Sequence, residues 1–187
     1  MNRGFITFIA ILILSCNASQ KPDANSQLWA YHPKNNQTAF DNACEPLLIN
    51  YQDFLKGVLA QDTAYSFLAA KNMATLIDSF PGLKLSKDTL LIHNLKQDLE
   101  NIHAEIEGLL LESSWLEMHK AANMISIHLI HLLGDAGYKH HTIYIFNTTA
   151  ELQEDGFHWL ALTKNNRDPY HPNLKEGVLA QQILQEN

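Results

Sequence analysis

Along the middle of the chain, apolar residues recur at steps of three and four, the spacing of helices that each bury one face. From about residue 43, Leu47, Leu48, Tyr51, Phe54, Leu55, Val58 and Leu59 form one such stripe. Asp62 is a good N-cap for a second helix. Ala64, Phe67, Ala70, Ala74 and Ile77 are expected on its inner face, with Pro81-Gly82 ending it. A third helix opens near Ser86 and aligns Leu91, Leu95, Leu99, Ile102, Ile106 and Leu109. Ser114-Trp115-Leu116-Glu117 has the spacing of a capping box, in which serine and glutamate satisfy each other's orphan amides. The fourth helix it starts carries Ile125, Leu129 and Leu132 to a glycine stop in the Gly134–Gly137 region. Four amphipathic helices with short connections predict a mainly α fold, an up-down four-helix bundle.

Beyond Gly137 the period changes. Thr142-Ile143-Tyr144-Ile145-Phe146 is β-branched and aromatic and predicts a short strand or extended piece. Trp159-Leu160-Ala161-Leu162 is apolar, and Asn166-Arg167-Asp168-Pro169-Tyr170 is a turn built on Asp-Pro. A short helix is expected over 177–184. These pieces are too few for a sheet domain, so the expectation is an irregular C-terminal segment wrapping the bundle.

The chain's start follows different rules. Arg3 precedes a ten-residue apolar run, Phe5 to Leu14, closed by Ser15-Cys16. A membrane-crossing helix needs about 20 apolar residues, so the run fits the h-region of an export signal instead. Ending on cysteine, it resembles the bacterial lipobox, with Cys16 lipidated as the mature N-terminus. The polar stretch that follows reads as a tether. The expected organisation is therefore a signal over 1–15, a lipidated N-terminus and tether over 16–41, and a helical domain over 42–187. Trp29 and Tyr31 lie within the tether.

Without residues 1–15 the chain holds 12 Lys and Arg against 20 Asp and Glu, a net charge of −8. That balance gives solubility and excludes attraction to nucleic acid. Cys44 is the only cysteine after Cys16, so no internal disulfide can form. It reads as a small residue in a helix rather than a nucleophile. The chain lacks Gly-x-Ser-x-Gly, Walker, Gly-x-Gly-x-x-Gly and His-Glu-x-x-His motifs, and a hydrolase would need a composite site assembled in space.

The order Tyr51, Asp62, Tyr144, Trp159-Leu160 and Asp168-Pro169-Tyr170 resembles a bacterial domain-of-unknown-function family. Its members include periplasmic lipoproteins and extensions on metal-efflux membrane-fusion proteins. The resemblance spans roughly Leu47 to Ile183 and rests on the order of short motifs. It implies a metal-handling setting in the cell envelope. The family's tail carries Cys-Pro-Met and Cys-Gly, where this chain has about Asn147-Thr148-Thr149-Ala150 and Glu176-Gly177. Threonine and alanine do not replace sulfur ligands for soft metals. The matched tail positions Tyr144, Trp159, Leu160, Pro169 and Tyr170 therefore imply docking of the tail rather than chemistry.

The chain holds ten histidines. On a helix turning about 100° per residue, Met124, His128, His131 and Asp135 fall within about 60° of one another, beside the apolar stripe. Imidazole with carboxylate suits zinc, and a thioether at Met124 would bring copper within range. His140 and His141, just past the helix, are candidates for a further ligand, and His171 is an outlying one. The competing expectation is that these histidines pack their rings and bond water or a carboxylate, as His131 and Asp135 could at i, i+4. The expected function is a non-catalytic binding or accessory module, lipid-anchored in the bacterial cell envelope, facing the periplasm or on the outer membrane, with an envelope protein as partner. No cofactor is required. A histidine-based zinc or copper protein is the alternative, and a composite-site hydrolase the next.

Overall fold

The computed structural model describes residues 38–80, 88–148, 156–164, 166–171, 173 and, as strand backbone, 178–183. The export signal, Cys16, Trp29, Tyr31, Pro81-Gly82, Ser86 and Glu176-Gly177 lie outside the described residues. Helices α1 (Thr38–Ala60), α2 (Thr63–Asp78), α3 (Thr89–Leu109) and α4 (Trp115–Ala136) precede strands β1 (Ile143–Asn147), β2 (His158–Ala161) and β3 (Val178–Ile183). Each helix packs on the next, and α4 returns to α1, which closes the four-helix bundle.

The stripes on α1 and α3 bury as their spacing predicts. On α3 all six expected residues are buried, and on α1 only Leu59 is left half-buried. Helix α1 starts earlier than expected. Phe40, assigned to the tether by composition, is buried and meets Phe80 edge-on with ring centroids 5.6 Å apart. Asp62 caps α2 by accepting the Tyr65 amide at 3.0 Å, and Asp88 caps α3 through the amides of Leu90 and Leu91. Gly137 ends α4 at φ 67°, the left-handed conformation a glycine adopts without cost.

Three expectations are corrected. The buried face of α2 is Ser66, Ala69, Ala70 and Met73, while Ala64 is exposed and Phe67, Ala74 and Ile77 only flank the core. The rotation follows from Gly57, whose bare Cα lets the Ser66 backbone of α2 press directly onto α1. The capping box at Ser114 does not close: the serine side chain makes no cap bond, and Glu117 pairs with Lys120 at 2.8 Å instead. Finally, residues 178–183 form strand β3 rather than the predicted helix. They complete a three-stranded antiparallel sheet of order β2-β1-β3, so the tail is more regular than expected. Between Ile145 and Phe146 the β1–β3 register shifts so that Ala180 has no partner, a bulge in β3.

Strand β2 is an edge of that sheet, and an unpaired edge exposes backbone donors and acceptors. Here side chains from the bundle and from the C-terminal turn cover it. The His158 amide donates to Asn123 Oδ1 at 2.7 Å, and the His158 carbonyl accepts from Tyr170 Oη at 3.0 Å. The Leu160 amide donates to Tyr51 Oη at 3.3 Å, and its carbonyl accepts from Gln52 Nε2 at 3.0 Å. Ser126 Oγ donates to the Ala122 carbonyl at 2.7 Å, which leaves Tyr51 to donate to Ser126 Oγ, also at 2.7 Å. Burial pushes the hydroxyl acidity of Tyr51 and Tyr170 far below the ordinary phenol's, so both keep their protons and remain donors.

The aromatic tail positions follow from this docking. Trp159 is fully buried, stacks on Phe146 at 5.5 Å, and donates its indole N–H to Asn166 Oδ1 at 3.1 Å. Leu160, Pro169 and Tyr170 are buried and Tyr144 is half-buried. The Asp168 carboxylate, wholly enclosed, accepts the amides of Tyr170 (2.8 Å) and His171 (3.1 Å) and fixes the turn.

Candidate metal centre

Helices α3 and α4 share an extensive interface, and it contains a charged residue. Asp98 stands seven residues after Leu91, within about 20° of it on a helical wheel, so its carboxylate points with the leucine stripe toward α4. The residue is 8% exposed. His128 on α4 reaches it, with Nδ1 3.3 Å from Asp98 Oδ1. His131, one turn on, sets its ring edge-on to that of His128 with centroids 6.3 Å apart. One ligating atom from each of Asp98, His128 and His131 lies within 4.8 Å of the others, a grouping that can hold a metal ion.

The helical period thus identifies the histidine pair, and the structure supplies a different carboxylate. Asp135 is half-buried on α4 but does not belong to the group, and Met124 is 36% exposed. His140 and His141 do not join it either. They turn toward α1, where Glu45 Oε1 lies 3.1 Å from His141 Nε2 and Glu45 Oε2 lies 3.8 Å from His140 Nδ1. Glu45, His140 and His141 form a second grouping of the same kind. Neither Asp98 nor Glu45 is marked by local sequence spacing, because each acts from a helix distant in the chain. The signal available for Asp98 was a lone acid within an otherwise apolar stripe.

No family model matches this chain, and no curated protein or solved structure does.

Three further histidines among the described residues have structural partners. His171 Nδ1 is 3.1 Å from Asp168 Oδ2, and His103 lies 3.3 Å from Asp78 and 3.9 Å from Glu107. His158 hydrogen-bonds Asn147 across the sheet. Cys44 is fully buried, and burial pushes its thiol well above the ordinary range, aided by the charges of Asp41 and Glu45. Such a thiol is inert at neutral pH.

His119 is buried in a different way. Its ring sits among those of Trp115, Phe157 and Tyr170 at 5.6–6.3 Å, with Nε2 buried and without a hydrogen-bond partner. Burial lowers its pKa from 6.5, His171 lowers it further, and Asp168 partly offsets both. Burial lowers that of His158 as well. Below about pH 6.5 the unfolded chain therefore takes up protons that the folded chain refuses. Stability is full above that pH and is lost as pH falls toward the depressed folded values. Urea midpoints are expected to decrease from pH 7.5 to 5.5. His119→Phe should make that decrease shallower and raise stability at pH 7.5 by about 1 kcal/mol, since it removes an unpaired polar atom. An unchanged slope in the variant would contradict this account.

Proposed function

We propose that this chain is a lipid-anchored accessory module of the bacterial cell envelope that binds zinc through Asp98, His128 and His131. The observation that carries the reading is a carboxylate enclosed at a helix–helix interface with imidazole as its basic partner. Among the described residues, His128 is the only basic group within 4.0 Å of Asp98. A buried carboxylate is costly unless a cation compensates it, and a metal supplies that charge while using both imidazoles. Imidazole nitrogen and carboxylate oxygen are good zinc ligands. Copper(I) prefers sulfur, and Met124 is the one thioether on the expected stripe. Three protein ligands leave a fourth position for water or for a donor from a partner, which suits a module that passes metal on.

The envelope placement rests on Arg3 to Cys16 and on the resemblance of Tyr51 through Tyr170 to metal-efflux-associated lipoproteins. The non-catalytic reading is supported by Cys44 and Ser126: the thiol is enclosed, and the hydroxyl is committed to Ala122 and Tyr51.

Zinc titration of the full chain, purified without an affinity tag, tests the assignment. His128→Ala/His131→Ala and Asp98→Asn are each expected to weaken one equivalent of zinc by more than about tenfold, with thermal melts confirming that the variants fold. Unchanged zinc binding in both would end the proposal. A parallel copper(I) titration decides the metal: if the double variant loses copper(I) but binds as many equivalents of zinc as the parent chain, the site belongs to copper.

A further inference from the structure

Past the left-handed cap at Gly137 the chain runs Tyr138-Lys139-His140-His141 before entering β1, and this connection lies against the first turns of α1. Two acids on α1, Asp41 and Glu45, stand one turn apart and meet it. Glu45 accepts from Tyr138 Oη at 3.2 Å and faces both imidazoles. The two imidazole rings lie nearly parallel, 13° between planes and 4.6 Å between centroids, so both present their edges to the same carboxylate. Asp41 bonds the Lys139 backbone and lies within electrostatic reach of His140. One of its oxygens, Oδ1, is buried with no hydrogen-bond partner.

We propose that Glu45, His140 and His141 form a second site for a divalent cation of the zinc class, separate from the one between α3 and α4. Ligating atoms from the three residues already lie within 4.8 Å of one another. A cation there would be met by one carboxylate and two imidazoles, a donor set zinc accepts, with Asp41 placed nearby to add negative charge. Acids at i and i+4 on one helix repel each other, and a cation bound beside them removes that cost. The two sites differ in exposure. The His140 and His141 side chains are 45% and 43% exposed, against 17% for His128. The outer site can therefore load directly from solvent. It also joins α1 to the entry of β1, so an ion bound there ties the sheet to the bundle.

Binding is read by calorimetric zinc titration of the untagged full chain at pH 7.5. Two equivalents are expected in the parent chain, one in His140→Ala/His141→Ala, and one in His128→Ala/His131→Ala. Glu45→Gln should weaken the outer equivalent while leaving the inner one unchanged. Zinc should also raise the melting temperature of the parent more than that of the His140/His141 variant, since only the parent binds at both places. Because the two histidines are exposed, their replacement leaves the fold intact, and the zinc-free melt checks this. A single equivalent lost only with His128 and His131 would overturn the outer site and leave the proposed function standing. A single equivalent lost only with His140 and His141 would do the reverse. Two equivalents retained by the His140/His141 variant would overturn the outer site by showing that Glu45 and its neighbours pair as ordinary ions.

Discussion

Replacing Trp159 with alanine is expected to destabilise the protein by about 3–5 kcal/mol, the range for deleting a large buried aromatic side chain. The indole is fully buried in β2, stacked on Phe146 and edge-on to Tyr170 at 5.9 Å. It also supplies the hydrogen bond that holds Asn166 at the start of the Asp168 turn. Its removal thus opens a cavity between the sheet and the Asp168 turn and frees the loop that carries Tyr170. For a domain of this size such a loss lowers the melting temperature by on the order of 10 °C. Trp159→Phe keeps the stack and loses only the indole bond and part of the volume, so it should cost markedly less. Urea denaturation followed by helical circular dichroism measures both. A loss below about 1 kcal/mol for the alanine variant would mean that the bundle holds without the sheet.

The contrast between α3 and α2 explains how much of the fold is legible in the sequence. On α3 the stripe from Leu91 to Leu109 is made of large aliphatic residues separated by polar ones, so its period admits one reading, and all six residues are buried. On α2 small residues occur on several sides, and alanine at 64, 70 and 74 does not mark a face by itself. The inner face there is set by contact with Gly57, a tertiary fact with no local signature. The same distinction applies to β3. Leu179, Ala180, Gln181 and Gln182 are good helix formers, and their local preference yields to pairing with β1. The site divides in the same way. His128 and His131 are adjacent by helical period alone, whereas Asp98 and Glu45 reach their partners from 30 and about 95 residues away in the chain.

Adding a side chain at Gly57 is expected to destabilise the bundle, and the same change at Gly108 to stabilise it. Glycine inside a helix costs about 1 kcal/mol relative to alanine, so both substitutions begin with that gain. At Gly108, on α3, a Cβ meets nothing within 4 Å, and Gly108→Ala should keep most of it. At Gly57 a Cβ would stand 2.8 Å from the Ser66 amide nitrogen and 3.0 Å from its Cα, and closer still to Ser66 Oγ. The obstacle includes backbone of α2, which cannot rotate away like a side chain. Nor can α2 retreat freely, because only Gln61 and Asp62 join it to α1. Asp62 is itself tied to the Gly57 carbonyl by a 2.9 Å hydrogen bond. Separating the helices would also strain Tyr51 and Gln52, which hold the β2 edge about a turn and a half earlier on α1. Overpacking of this kind typically costs about 1–3 kcal/mol, so Gly57→Ala should be a net loss. Gly57→Val, with two more methyl groups and a β-branch, should lie at or beyond the upper end of that range. Thermal melts of the three variants give the answer by sign alone: if Gly57→Ala raised the melting temperature as Gly108→Ala does, α1 and α2 would not pack at the separation that places Ser66 against Gly57.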